Sequence, residues 1–471
     1  MQGRTLPEVW ARQWAFRPEA PVLIDGRDET RVVDAATLEA RTAALAATLA
    51  ERGVAPGDRV LWCARSTVPA IEAVIAVLRL GAVLVPLSPS ATAAELDHVV
   101  GDARPVLALF DEPRPEASIS GLTVVRIEDL TRAGEQAGPS SPLPDRRPGD
   151  HALIVYTSGT TGMPKGAVHT HGSLLAGVSS LLTAWRWTAD DRLVLCLPLF
   201  HVHGLCAGLF GTLTAGAAAS VFERFDETAV LRAAAANTMF FGVPTMYHRL
   251  AATGRAAALG SLRLNVSGSA PLAADLWHRF EAEGVVVLER YGMTETLLTL
   301  SNPLEGERRP GSVGLPLPGV EAALDGVDEQ GIGELLVRGA SLCEGYWGRP
   351  AFAAGDWFAT GDLASVADDG YVSIRGRRTE LIITGGHNVY PAEVEAVLAR
   401  HPGVVEVAVV GLPSAEWGET VVAYVVGDPD LVSLRELAAA ELAPFKCPRE
   451  VRIIDGLPRN ALGKVVRSEL R

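Results

Sequence analysis

Ala152-Leu-Ile-Val-Tyr-Thr-Ser-Gly-Thr-Thr-Gly-Met-Pro-Lys-Gly166 passes from an apolar run into a cluster of hydroxyls and glycines around one lysine. The run Ala152 to Tyr156 has the length and character of a buried strand. Four hydroxyls (Thr157, Ser158, Thr160, Thr161) and three glycines (Gly159, Gly162, Gly166) then surround Lys165. Glycine lets backbone N–H groups approach a ligand, hydroxyls donate to oxygens, and an ammonium adds a point charge. Together they suit a polyphosphate. A Walker A loop needs Gly-Lys-Ser/Thr opening a helix; here Pro164 precedes the lysine and Gly166 follows it. The competing reading is a Ser/Thr/Gly-rich surface turn.

Lysine usage narrows the choice. Of 42 basic residues only three are lysines, Lys165, Lys446 and Lys464, so arginine supplies the routine surface charge. A retained lysine marks a place where a compact ammonium on a flexible stem is needed and a planar guanidinium is not equivalent. Lys165 lies in the loop, and Lys464 closes Pro458-Arg-Asn-Ala-Leu-Gly-Lys464 near the C-terminus. Lys446 reads as an ordinary helix-end residue.

Outward from the loop, helix and strand signals alternate. Asp34 can cap a helix whose Leu38, Thr42, Leu45 and Leu49 share one face, stopped by Gly53. Residues 59–63 read as a strand, 69–80 as a helix closed by Gly81, and 82–87 as the next strand. This rhythm predicts parallel sheets with right-handed crossovers. Residues 134–149, rich in Pro, Ser and Gly, read as a loop. Runs at 193–199, 238–243, 263–267 and 285–288 extend the α/β pattern. From about Gly314 short strands with Gly and Asp turns predict an antiparallel, barrel-like subdomain. After Gly376 a small α+β unit follows, its first helix opened by Pro391. The expected organisation is therefore residues 1–376, a hinge at 377–380, and a small mobile domain at 381–471.

Bulk properties exclude several classes. A net charge of −14 with no basic stripe argues against nucleic acid. Five scattered cysteines without C-x-x-C spacing indicate neither a disulfide framework nor a zinc site, which makes a reducing cytoplasm the expectation. The N-terminus lacks a signal-peptide core. Gly204 to Phe222 is 19 residues long without a charge, enough to span a bilayer. Its four glycines, split at Gly216, instead predict a buried helix and a short strand, and no membrane partner.

Later segments supply the rest of a nucleotide site. Ser267-Gly268-Ser269-Ala270-Pro271 is a small-residue turn on which a flat ring can lie. Tyr291-Gly-Met-Thr294-Glu295 offers an aromatic face, a hydroxyl and a carboxylate suited to Mg²⁺. Asp362 and Arg377 offer a carboxylate and a guanidinium for a ribose diol and phosphate. Taken singly, Glu295 and Asp362 could equally be solvated turn carboxylates. In this order, and with Lys464 at the end, the chain resembles the acyl-adenylate-forming family of acyl- and aryl-CoA synthetases, luciferases and peptide-synthetase adenylation domains.

The resemblance covers nearly the whole chain. It implies a large N-terminal α/β domain with a small mobile C-terminal one, and the substrates ATP, a carboxylic acid and coenzyme A. The 157–166 loop would hold the β- and γ-phosphates. Gly268 to Pro271 and Tyr291 would sandwich adenine, and Thr294 would meet the α-phosphate. Glu295, with Thr157, would hold Mg²⁺, and Asp362 and Arg377 would bind ribose. Lys464 would bridge the acid carboxylate and the α-phosphate, and Gly385-Gly386 would line the thiol's approach. At the hinge position the family usually has Asp or Lys, and this chain has Thr379.

The acid is read from the differences. Amino-acid-activating relatives carry Phe-Asp where this chain has Phe200-His201, so the ammonium anchor is missing. With no carrier segment after Lys464, free coenzyme A is the expected acceptor. The residue before Tyr291 lies on the acyl pocket in this family and is commonly glycine; here it is Arg290. Burying a dianion requires a pairing cation, so Arg290, with His201 opposite and Arg308 in Gly306-Glu-Arg-Arg-Pro-Gly311, resembles the malonyl-CoA and methylmalonyl-CoA synthetase branch. The alternatives are that Arg290 turns away to pair with Glu289 or Glu295, and that His201 is an uncharged gate. A short-chain monocarboxylate ligase and a carrier-loading adenylation module stand as the other functions. Oligomeric state is not legible.

Overall fold

The computed structural model describes residues 3–112, 121–136, 145–157, 163–353, 355–414, 416–459 and 465–471. By packing, these form two units. The first comprises residues 1–321 with 338–356, and the second residues 322–337 with 357–471.

The first unit is built on two twisted, parallel-rich sheets. In one, Val287–Met293, Leu264–Ser267, Met239–Gly242, Arg192–Leu195, Ala218–Val221 and Pro21–Asp25 run parallel in that spatial order. Leu297–Ser301 extends it antiparallel beside Val287–Met293. In the other, His151–Thr157, Val83–Pro86, Arg59–Cys63, Leu107–Phe110 and Thr123–Arg126 are parallel, and Lys165–Thr170 returns antiparallel on His151–Thr157. The strands are four to seven residues long, and the central ones, such as Val83–Pro86 and Met239–Gly242, are buried along their whole length, as strands covered on both faces must be. A continuous core of Leu, Val, Ile, Ala and Trp side chains, including the fully buried Trp10, Trp62 and Trp185, fills the space around them.

Local signals act where they were expected. Asp34 caps Ala35–Glu51 by accepting from the Thr37 N–H, and Gly81 ends Val68–Leu80 at φ 81°. One segment departs from its reading. The helix Ile127–Gln136 runs through Gly134, which was expected in a loop. A Cβ at Gly134 would stand 2.8 Å from Leu45, so glycine there lets this helix press against Ala35–Glu51. The uncharged stretch folds as a π-helix, His203–Phe210, one α-helical turn to Ala215, an αL cap at Gly216 and the strand Ala218–Val221. Among the described residues no helix is long and apolar enough to cross a membrane.

In the second unit Ile332–Gly339, Phe358–Val366 and Val372–Arg377 pair antiparallel. A further sheet pairs Val404–Ser414 with Gly418–Gly427 and adds Ile382–Thr384, His387–Val389 and the parallel Glu450–Ile453. Pro391–Leu398 and Leu431–Glu441 cover its apolar core.

Candidate active site

The strands flanking the lysine segment, His151–Thr157 and Lys165–Thr170, pair antiparallel, whereas a Walker loop leads from a strand into a helix. Thr157 pairs with Lys165, the register pair next to the connecting segment. At Gly166 a Cβ would stand 2.6 Å from Ile154, so the return strand needs glycine to pack there. The expected phosphate contacts Ser158, Gly159, Thr160, Thr161 and Gly162 lie outside the described residues, as does Lys464.

The return strand also organises the Thr294–Glu295 turn. His169 is fully buried, and desolvation pushes its imidazole down to about 4, so it is neutral. Its Nε2–H donates to the Thr294 carbonyl at 2.8 Å, while Nδ1 lies 3.2 Å from Ser173 Oγ. Gly345–Tyr346 pairs with Ala167 and Val168 of the same strand. From there the Tyr346 hydroxyl donates to Glu295 Oε1 at 2.8 Å, and Lys165 Nζ sits 5.4 Å from the Tyr346 ring centroid. The Cys343 N–H holds the Glu295 carbonyl at 2.7 Å. Glu295 is therefore a buried, hydrogen-bonded carboxylate, not a solvated one.

The turn is tight and strained. Gly292 approaches the Leu297 carbonyl so closely that a Cβ would stand 1.9 Å from it, and Leu297 sits at φ 58°. In the adenine-turn candidate, Ser269 sits at φ 72°. A non-glycine residue in this region costs on the order of 1–3 kcal/mol and persists where its surroundings impose it, most often at functional sites.

Arg290 points inward and is buried. Its side chain's only hydrogen bond among the described residues is Nη2 to Ser269 Oγ at 3.4 Å, and Nε has no partner. Burial lowers its guanidinium to about 9, still cationic at neutral pH. It pairs with neither acid considered for it. Glu289 accepts from the Gly311 and Leu272 N–H groups at 2.9 and 3.2 Å, and burial pushes its carboxyl up to about 7. Glu295 is held by Tyr346.

Two histidines of the Phe200-His-Val-His203 segment also carry unpartnered ring nitrogens. His201 Nε2 is buried without a partner, and burial lowers the ring to about 4. His203, which the sequence reading passed over, is buried with both ring nitrogens unpartnered. It stacks on Phe241, and burial, helped by the nearby charge of Arg290, holds it well below its ordinary value. Its only sequence signal was the spacing Phe200-His-Val-His203. Arg308 differs in placement: its guanidinium is taken up by the Pro303 and Leu304 carbonyls of its own loop.

In the second unit Asp362 and Arg377 face each other across paired strands, Arg377 Nε 2.8 Å from Asp362 Oδ1. Asp362 is buried, so it too is no solvated turn residue. Thr379 lies exposed in the 3₁₀ turn Arg378–Glu380. Gly385 and Gly386, at φ 56° and 80°, form the two-residue turn between Thr384 and His387, where both central residues need positive φ.

Comparison with known proteins agrees with this arrangement. The family described as AMP-binding enzyme matches residues 10–347, and AMP-binding enzyme C-terminal domain matches 393–464. A malonate–CoA ligase of Arabidopsis thaliana is 36% identical over 476 residues, covering 89% of this chain and 78% of that protein. A feruloyl-CoA synthase of Amycolatopsis sp is 37% identical over 458 residues, covering 93% of each. The crystal structure of ATP-bound MatB from Rhodopseudomonas palustris superposes with a TM-score of 0.93 at 37% identity, covering 99% of this chain and 98% of that one.

Proposed function

Given that the chain belongs to the AMP-binding enzyme family and is an AMP-forming acyl-CoA synthetase, we propose that its acid is a small dicarboxylate, malonate or a methyl-substituted malonate. One observation carries this reading: Arg290 is a buried cation with no carboxylate partner among the described residues. Leaving a buried charge unpaired costs several kcal/mol, and a second carboxylate on the substrate would remove that cost. His203, which feels the Arg290 charge, adds two unpartnered ring nitrogens, and His201 Nε2 is likewise unpartnered. The names of the malonate–CoA ligase relatives agree. Arg308, engaged by its own loop, is the weakest of the proposed acid contacts.

The chemistry follows from charge. A carboxylate is a poor acyl donor because oxide would have to leave. Its oxygen attacks the α-phosphorus of ATP, the bond to the β-phosphate oxygen breaks, and pyrophosphate departs. The thiol of coenzyme A then attacks the acyl carbon and AMP leaves. Two anions must meet in the first step, so preorganised donors carry much of the catalysis. We assign Thr157 to Gly162 and Lys165 to the β- and γ-phosphates, Gly268 to Pro271 with Tyr291 to adenine, and Thr294 to the α-phosphate. Asp362 and Arg377 are assigned to ribose, Lys464 to the reacting carboxylate and α-phosphate, and Gly385-Gly386 to the thiol's path. The small domain would turn about Thr379 between the two steps.

Among the described residues no three His, Cys, Asp or Glu side chains cluster as a metal site. The buried Glu295 fits Mg²⁺, which takes one or two carboxylates and completes its shell with phosphate oxygens and water; Thr157 stands as the second protein candidate. Bound there, the ion would neutralise charge on the phosphates.

Pyrophosphate release across acetate, propionate, malonate, methylmalonate and succinate tests the substrate. Malonate or methylmalonate should lead; a preference for propionate would replace this reading with a short-chain monocarboxylate ligase. Acyl transfer to a protein carrier, with none to free coenzyme A, would replace it with a carrier-loading enzyme.

A further inference from the structure

Glu295 and the segment 343–346 are attached at two points. The Cys343 N–H holds the Glu295 carbonyl at 2.7 Å, and the Tyr346 hydroxyl holds Oε1 at 2.8 Å. That segment is itself locked by β-pairing of Gly345 and Tyr346 to Val168 and Ala167, three and two residues beyond Lys165. The Glu344 N–H adds a bond to the Val168 carbonyl at 2.8 Å. The Tyr346 ring also faces the Lys165 ammonium. Glu295 is buried and has no cationic partner among the described residues, and the one hydrogen bond to its carboxylate there is the phenol's.

We propose that Tyr346 is a positioning residue of the nucleotide–metal subsite, taking Oε1 of Glu295 so that Oε2 is presented to the cation. A carboxylate with two free oxygens can rotate or chelate through both. With one oxygen held by a fixed phenol, the other has a defined direction, which suits an ion that demands near-octahedral geometry. The same ring gives Lys165 a resting face, so one side chain sets both charges that meet the phosphates. The inference rests on the reading of Glu295 as the Mg²⁺ carboxylate.

The test is equilibrium binding of ATP to the full chain, with Mg²⁺ and with EDTA, for wild type, Tyr346→Phe and Glu295→Gln. Melting temperatures check that the phenylalanine ring is accommodated. Tyr346→Phe should weaken binding about tenfold or more with Mg²⁺ present, the usual loss for a hydrogen bond to a charged group, and leave binding in EDTA within about twofold. Equal weakening in both conditions, or none, overturns the inference. A Mg²⁺ gain lost in Glu295→Gln but kept in Tyr346→Phe overturns it while sparing the metal assignment. A wild-type affinity indifferent to Mg²⁺ overturns the assignment of Glu295 and this inference with it.

Discussion

The guanidinium of Arg290 lies against the α-carbon of Gly268, so close that a Cβ on residue 268 would stand 2.2 Å from Nε and 2.4 Å from Cζ. The missing side chain of one residue is thus the space another occupies. Gly268 was read as part of an adenine turn; its position also makes it the floor under the proposed acid-binding arginine.

Gly268→Ala should therefore act on the acid through Arg290. The backbone at 268 is outside the positive-φ region, so a methyl group brings no backbone strain, only the clash with the guanidinium. The arginine must swing away. Malonate kcat/KM should fall at least about tenfold, the order expected when a charged contact is lost, with KM for ATP changed far less. Steady-state kinetics with each substrate varied in turn measures this; an equal rise in both KM values would point to the adenine turn instead.

Arg290→Gly should reverse the preference itself. A distal carboxylate left unpaired in a dry pocket costs about 3–5 kcal/mol, or roughly two to four decades in kcat/KM on malonate. The same change enlarges the pocket and removes a stranded cation, so propionate or butyrate turnover should hold or rise. Parallel loss on malonate and propionate would mark Arg290 as structural and pass attention to His201 and His203.

Lys464→Ala should damage one half-reaction. If this lysine meets the carboxylate and α-phosphate only while the anhydride forms, adenylation should drop by about 10²-fold or more. Thioester formation from preformed acyl-AMP should stay near normal. Pyrophosphate exchange and single-turnover thioester formation read the two steps separately; equal losses would remove the assigned role.

His169 should make the fold acid-sensitive. Its folded value is about 4, against about 6.5 in an unfolded chain. Between these limits the unfolded chain binds a proton that the folded one refuses. The stability it contributes is complete above about pH 6.5 and is lost as the pH falls toward 4. At pH 5 the loss is on the order of 2 kcal/mol. His169→Gln keeps an N–H donor for the Thr294 carbonyl but cannot titrate. Its melting temperature should fall less between pH 7 and pH 5 than that of the wild type. The slope should shrink without vanishing, because His171, His201 and His203 are lowered in the same way. Identical slopes would show that His169 does not titrate in this way.

Much of the architecture was legible because it is written locally. Caps such as Asp34 and stops such as Gly81 and Gly216 act within a few residues of where they stand. Gly134 misled because its reason is remote: it is small to admit Leu45, not to bend the chain. The arginine before Tyr291 was conspicuous because the resembled family commonly has glycine there. His203 was not, since a histidine's spacing says nothing about whether both ring nitrogens will be buried unpartnered. Arg308 looked equivalent to Arg290 in composition, yet carbonyls of its own loop satisfy it.

Residue types and their order suffice for the α/β rhythm, the strand leading into the lysine loop and the inventory of chemical groups, because helices, strands and turns respond to neighbours three or four positions away. The contacts that turn the inventory into a site are of another kind. Tyr346 meets Glu295 across 51 positions, and His169 meets Thr294 across 125. Arg290 settles on Gly268 because Val287–Met293 and Leu264–Ser267, the strand that Gly268 directly follows, are parallel neighbours in one sheet. Such pairings depend on how crossover connections fold back and on which small residues leave room, so they exist only once the sheets have formed.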